Sequence, residues 1–252
     1  MRILVVIPNY EAENILYLHS MLEGFKGFKE SENIDITFNV VLFSTLKTRF
    51  GKEFDFVDER LYTSNTSKHL PLECYRWMQT QDLEKYDFIL YTENDLLFTE
   101  YNFLGYLRCW EKLAKHHAVP GFVRYELKGM GDYLVDHNNV IEPPISLIGD
   151  SQYFTPKNVH SGCWMMAPWQ FLQQDEEYGT NYKNFTLEDY ASHLYKGEWP
   201  GSAVGYTKAT PTNDFSSFLI HHQPDKYCKI YPTEQPAVDH YLKYFRSLET
   251  SH

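Results

Sequence analysis

The sequence predicts an α/β protein with a mostly parallel central sheet flanked by helices and a second half of mixed architecture. Three observations carry this. Arg2 to Ile7 is a continuous apolar run cut off by Pro8-Asn9-Tyr10, the pattern of a strand buried on both faces. Runs of this kind alternate with segments of helical periodicity as far as Tyr125, which implies parallel strands joined by crossover helices. After Lys128 the texture changes, and Gly129, Gly131, Pro143, Pro144 and Gly149 punctuate short apolar pieces.

Behind the first strand, Glu11 to Phe28 places Ile15, Leu18, Met21, Leu22 and Phe25 at helical intervals. Ile36 to Phe43 reads as the second strand, Phe54 to Val57 as a short third, and Pro71 to Thr80 as a helix leading to a strand that ends at Glu93. Tyr101 to His117 is helical, with Leu104, Leu107, Leu113 and Ala114 on its apolar side, and Val119 to Tyr125 reads as another strand. In the later half, Ser161 to Ala167 (SGCWMMA) predicts a buried strand, Trp169 to Gln174 a short helix and Thr186 to Tyr195 a second one. The apolar run from Phe215 to Ile220 predicts a strand that ends at His221-His222. No repeat and no long linker divides the chain, so a single domain over residues 1–252 is expected.

Composition narrows the partners. With 252 residues, 43 % hydrophobic and 17 % aromatic, the chain can bury a sizeable core. Lys plus Arg number 23 against 34 Asp plus Glu, a net charge of −11, which argues against a nucleic-acid partner and against a polybasic membrane anchor. An anionic substrate would need local cations, from a metal or from placed side chains such as Lys68, Arg76 or Lys226. Cys74, Cys109, Cys163 and Cys228 form no C-x-x-C pair, so reduced thiols and a soluble, cytoplasmic setting are expected. The N-terminal apolar run is too short for a signal or a bilayer span, and no integral membrane segment is expected.

The chemistry concentrates at Tyr86 to Thr99, YDFILYTENDLLFT, where an apolar run stops at Glu93-Asn94-Asp95 and then resumes. Carboxylates beside buried apolar surface must be hydrated, paired or ligated to a cation. Glu93 and Asp95, two apart at a strand's end, project to the same side, and hard oxygens in that arrangement suit a Mg2+ or Mn2+ that also holds a phosphate. The alternative is that Asn94 and Asp95 form a turn or cap the next helix. The chain has no G-x-G-x-x-G after its first strand, no G-x-x-x-x-G-K-[ST] and no G-x-S-x-G, so dinucleotide, P-loop and hydrolase-elbow sites lose their main support.

What remains is an order of parts: IPNYEAEN closing the first strand, END closing a mid-chain strand, then SGCWMMAPWQF, then TLEDY, then a late His-His. This order resembles the GT-A fold glycosyltransferases, enzymes that use nucleotide-diphosphate sugars, and the resemblance covers most of the chain. It implies a GT-A-like, Rossmann-type α/β fold in which residues 1–100 or so form the nucleotide-sugar-binding half and residues from about 101 to 252 the acceptor-side half. It places Pro8, Asn9, Tyr10 and Glu11 in the nucleotide pocket. The family's D-x-D element appears as Glu93-Asn94-Asp95, with Asp95 binding the cation that bridges two phosphates and Glu93 near the ribose or a metal-bound water. The resemblance implies a catalytic base at Asp189, with Glu188 the second choice, though both carboxylates also suit a helix N-terminus. His222, with His221 as its alternate, matches a late histidine that ligates the metal, and imidazole favours Mn2+ over Mg2+. Arg76 is a candidate diphosphate contact. Trp199, in a Gly/Pro loop, is a candidate acceptor contact, whereas Trp164 and Trp169 fit either a core or a stacking role.

The implied activity is transfer of a sugar from a nucleotide-diphosphate donor to a hydroxyl acceptor such as a glycan, metal-assisted and inverting. Two rivals stand beside it. A nucleotidyltransferase usually opens with a Gly-rich basic loop, which IPNYEAEN lacks. A non-catalytic glycan-binding protein is favoured by the abundant Tyr, Phe and Trp.

Overall fold

The computed structural model describes residues 1–9, 12–29, 35–63, 69–135, 143–155, 162–177, 206–230 and 236–249. In chain order the strands are β1 (Arg2–Asn9), β2 (Thr37–Ser44), β3 (Val57–Leu61), β4 (Phe88–Thr92), β5 (Leu96–Leu97), β6 (Ala118–Pro120) and β7 (Val123–Lys128). They continue with β8 (Gly131–Leu134), β9 (Ile145–Ile148), β10 (Ser151–Phe154), β11 (Cys163–Met166), β12 (Thr207–Pro211) and β13 (Leu219–His222). The α-helices are α1 (Ile15–Lys29), α2 (Phe50–Glu53), α3 (Leu70–Met78), α4 (Glu100–Ala114), α5 (Pro168–Glu177), α6 (Lys226–Ile230) and α7 (Val238–Glu249). Packing groups the chain into two units, Met1–Leu96 with Gly162–Gly205, and Leu97–Ser161 with Tyr206–His252.

The first unit is built on one sheet in the order β11-β4-β1-β2-β3, in which β1 to β4 are parallel and β11 runs antiparallel to β4. This is the mixed α/β class that the sequence predicts, a parallel-rich sheet with helices, consistent with a GT-A-like Rossmann-type fold. Ile3 to Ile7 are wholly buried, as a strand covered on both faces requires. The cover includes Leu18, Met21, Leu22 and Phe25 of α1 and Leu70, Leu72, Tyr75 and Met78 of α3, all buried. Phe171 of α5 packs 4.8 Å from Tyr75, and Trp164 of β11 stacks on Tyr91 at 5.7 Å between ring centres. Trp164 is therefore a core residue. The third strand starts later than the sequence predicts, because Phe54 is spent closing α2, and the strand itself, VDERL, is largely polar.

The second unit holds two four-stranded sheets, β6-β12-β10-β9 and β5-β13-β7-β8. Thr99 caps α4 by accepting from the Asn102 backbone N–H, while Asn102 Oδ1 accepts from the Thr99 backbone. The Asn102 amide also donates to the carbonyls of Ser217 and Leu219, both at 2.9 Å. Helix α7 buries Val238, Tyr241 and Phe245 against Val123, Leu134, Phe154 and Phe215.

Two predicted strands are corrected here. Val119 to Tyr125 is two strands, β6 and β7, which pair in different sheets. Pro120 has no N–H for a ladder, and Gly121 closes the break by donating to Ala209 O at 3.1 Å. Phe215 to Ile220 is not one strand either. Phe215–Phe218 is a 3₁₀ turn, and β13 begins only at Leu219, so the two histidines lie inside that strand. Among the described residues no helix is long and apolar enough to cross a membrane.

Candidate functional site

The polar groups of the first unit collect where its parallel strands end. Asn9 closes β1, and Ser44, its register partner, closes β2. Beside them β4 passes into Glu93-Asn94-Asp95. Asn14 Nδ2 donates to Asn94 Oδ1 at 3.2 Å, and Asn94 Nδ2 donates to Asn9 Oδ1 at 2.6 Å. Asn9 Nδ2 then donates to Ser44 Oγ at 2.9 Å, and Ser44 donates to the Leu46 carbonyl at 2.7 Å. All four side chains are buried. A relay of this kind fixes each amide's orientation and ties three strand ends together. Sequence reasoning picked out Asn9 and Asn94 but missed Asn14 and Ser44. The available signal was a polar residue at the end of an apolar run, in FNVVLFS, and the second Asn of IPNYEAEN.

Glu93 to Asp95 form a turn rather than an extended segment, with Leu96 N–H donating to Glu93 O at 3.3 Å. The expected period-2 alternation therefore does not apply. Asp95 is only 5 % exposed, whereas Glu93 is half-buried. Glu93 is held from the other side by Gly162, whose carbonyl accepts from Glu93 N at 2.9 Å. Gly162 has φ +61°, and a Cβ there would lie 2.5 Å from Glu93 Oε2, so glycine is needed both for the backbone and for the carboxylate beside it. That residue too was not singled out in the sequence.

Other predicted donor contacts are distributed unevenly. Pro8 is buried in β1, and Tyr10 and Glu11 lie outside the described residues. Arg76 is on α3, where its guanidinium donates to Glu73 one turn back at 2.8 Å. Lys68 lies outside the described residues. Lys226 is exposed at the start of α6, its ammonium 5.5 Å from the Tyr227 ring.

In the second unit the two late histidines differ sharply. His222 is buried, and its Nδ1 meets Glu126 Oε1 from the neighbouring strand β7. Glu126 is also buried and accepts from the backbone N–H groups of Tyr227 at 3.1 Å and Cys228 at 2.6 Å. Burial pushes the Glu126 carboxyl up, but the hydrogen bonds from His222 and from those two N–H groups outweigh it and hold the pKa below the ordinary range. His221 instead pairs with Asp225 at 3.0 Å and stacks on Tyr125. An imidazole oriented through one nitrogen by a carboxylate is the support that metal-ligating histidines use. Glu126 is a functional candidate the sequence reading missed, visible only as an acid inside the apolar strand VRYEL.

Taken separately, Asp95 in the first unit is a buried carboxylate and His222 in the second a carboxylate-oriented imidazole, each of a type that can ligate a divalent cation. Among the described residues, a cluster of three liganding groups occurs elsewhere, at His19, Glu23 and Glu53, which are partly or fully exposed. Glu188, Asp189 and Trp199 lie outside the described residues. Trp169 is 48 % exposed on α5.

No protein-family model matches the chain, and no curated protein does. Several solved structures align with the chain at low similarity. A glycosyltransferase involved in the glycosylation of the major capsid of PBCV-1 aligns with 91 % of this chain and 100 % of its own, at 9 % identity and a TM-score of 0.40. Galactosyltransferase LgtC, solved in complex with donor and acceptor sugar analogues, aligns over 80 % of this chain and 72 % of its own, at 12 % identity and a TM-score of 0.30. A nucleoside-diphosphate-sugar pyrophosphorylase from Vibrio cholerae RC9 aligns over 96 % and 99 %, at 12 % identity and a TM-score of 0.33.

Proposed function

We propose that this chain is a metal-assisted glycosyltransferase that moves a sugar from a nucleotide-diphosphate donor to a hydroxyl acceptor. The observation that carries the reading is the buried relay of Asn14, Asn94, Asn9 and Ser44 across the carboxyl ends of β4, β1 and β2, with the buried Asp95 next in sequence. In open α/β sheets ligands bind in the crevice at those strand ends, and a fixed set of amides beside a carboxylate suits a nucleotide diphosphate with its cation.

In this reading Pro8, Asn9, Tyr10 and Glu11 line the nucleotide pocket, with Glu93, Asn94 and Arg76 as further donor contacts. Asp95 is the proposed ligand of Mn2+ or Mg2+ at the strand ends of the first unit; His222, taken by itself in the second unit, is a proposed metal ligand whose ring Glu126 keeps in place. The cation, when bound, supplies positive charge against the diphosphate. The Asp189 carboxylate, or Glu188 in its stead, takes the proton from the acceptor hydroxyl. The acceptor oxygen then bonds to the sugar's anomeric carbon while the bond to the diphosphate breaks, which inverts that centre. Trp199 offers a face for the acceptor.

The test is incubation of the whole chain with Mn2+ and a panel of nucleotide sugars, with and without glycan acceptors, reading nucleoside diphosphate release. Acceptor-stimulated release supports the reading. Formation of nucleotide sugar and pyrophosphate from a nucleoside triphosphate and a sugar phosphate would reassign the crevice to nucleotidyl transfer.

A further inference from the structure

The second unit contains a polar cleft of about 420 Å3 that none of the proposed transfer residues lines. That volume falls within the roughly 300–1,000 Å3 of small-molecule sites. One wall is the face of α4 that carries Arg108 and Lys112, four residues apart, and the other comprises β10 and the end of β12. Both cations are already held. Arg108 Nε and Nη2 donate to Asp214 Oδ2 at 3.1 and 2.6 Å, and Nη2 also reaches Ser217 Oγ at 2.8 Å. Lys112 pairs with Asp150, which the tight β9-β10 turn presents at Gly149-Asp150, and donates to Ser151 Oγ at 2.6 Å. The two ion pairs cancel in charge.

The same cleft is lined by groups that are not engaged by the described residues. The side-chain amides of Gln152 and Asn213 line the cleft and make no hydrogen bond among the described residues, and Nη1 of Arg108 makes none either. Amides offer a donor and an acceptor each, and Nη1 offers two donors. The wall cannot shift easily, because Gly105 of α4 sits so close to the 3₁₀ turn that a Cβ would lie 2.5 Å from Ser217 Cβ. An anion would meet the Asp214 carboxylate in the same cleft with no net positive charge to offset it, and an apolar molecule would leave the amides unsatisfied. A ligand dense in hydroxyl groups and without charge satisfies all of them.

We propose that this cleft is a binding site for an uncharged saccharide, one that needs neither nucleotide nor metal and so does not depend on the transferase reading. The test titrates the full chain, without nucleotide or divalent cation, with lactose, maltose, cellobiose and N,N′-diacetylchitobiose by ligand-observed NMR and calorimetry. Inorganic phosphate is a parallel arm. The expected result is saturable binding of at least one disaccharide, weakened at least about tenfold in the double variant Gln152→Ala/Asn213→Ala with an unchanged melting temperature. Arg108→Met should weaken it as well. Absence of binding by all four sugars overturns the proposal, as does undiminished binding in the double variant. Saturable binding of phosphate without any sugar overturns it in favour of an anion site. Donor binding with Mn2+ is measured on the same samples, so failure of the transferase reading registers separately.

Discussion

Glu126 is buried with both of its oxygens engaged. Its two oxygens accept from His222 and from two backbone N–H groups at the start of α6. Glu126→Gln removes the charge and turns one acceptor into an amide donor that faces other donors. It should cost about 1–3 kcal/mol of unfolding free energy, read by denaturant titration. At the proposed catalytic base the demands differ again. Asp189→Asn keeps the shape but cannot take a proton, so transfer should slow by roughly 10²- to 10⁴-fold with donor affinity retained. A carboxylate that only complements a helix dipole would instead cost about 0.3 to 1 kcal/mol of stability, since Asn caps as well as Asp, and leave turnover alone.

At the scale of elements, two contacts decide how the second unit holds together. Gly105→Ala would gain about 0.8–1.0 kcal/mol of helix propensity in α4, yet its Cβ would lie 2.5 Å from Ser217 Cβ. Overpacking of that kind costs about 1–3 kcal/mol, so the variant should be less stable than the parent by thermal melting. In α7, burial pushes the Tyr241 phenol from 10.0 up to about 12. The folded state thus keeps a proton that the unfolded chain releases above about pH 10. Stability from this source is complete below pH 10 and falls as pH rises towards 12, and Tyr241→Phe should remove that part of the alkaline loss in melting curves taken from pH 9 to 12. The sequence showed α1, β1, β2 and α4 clearly because a strand buried on both faces, or a helix with one apolar stripe, leaves a continuous or periodic record. It did not show the break at Gly121 or the 3₁₀ turn at Phe215, where apolar residues continue through a change of partner strand. The relay is half legible for a related reason: Asn9 and Asn94 end apolar runs in motifs, while Asn14 and Ser44 join it through partners distant in sequence, as Gly162 meets Glu93.

The molecule as a whole carries a charge of −11, so it cannot hold a nucleotide diphosphate by general attraction. Arg76 is engaged by Glu73, and the cations of the further cleft are engaged by Asp150 and Asp214. The proposed function gives that role to a divalent cation, with Asp95 as its proposed carboxylate ligand. The most direct measurement is calorimetric titration of a nucleotide-sugar donor into the wild type and Asp95→Asn, with and without Mn2+, alongside thermal melting. The account predicts donor binding that requires Mn2+ in the wild type and falls by more than about 100-fold in Asp95→Asn, beyond what loss of a supporting residue gives, with the fold intact. Equal Mn2+-dependent affinity in the two proteins would contradict it and leave Glu93-Asn94-Asp95 as a turn that only closes β4.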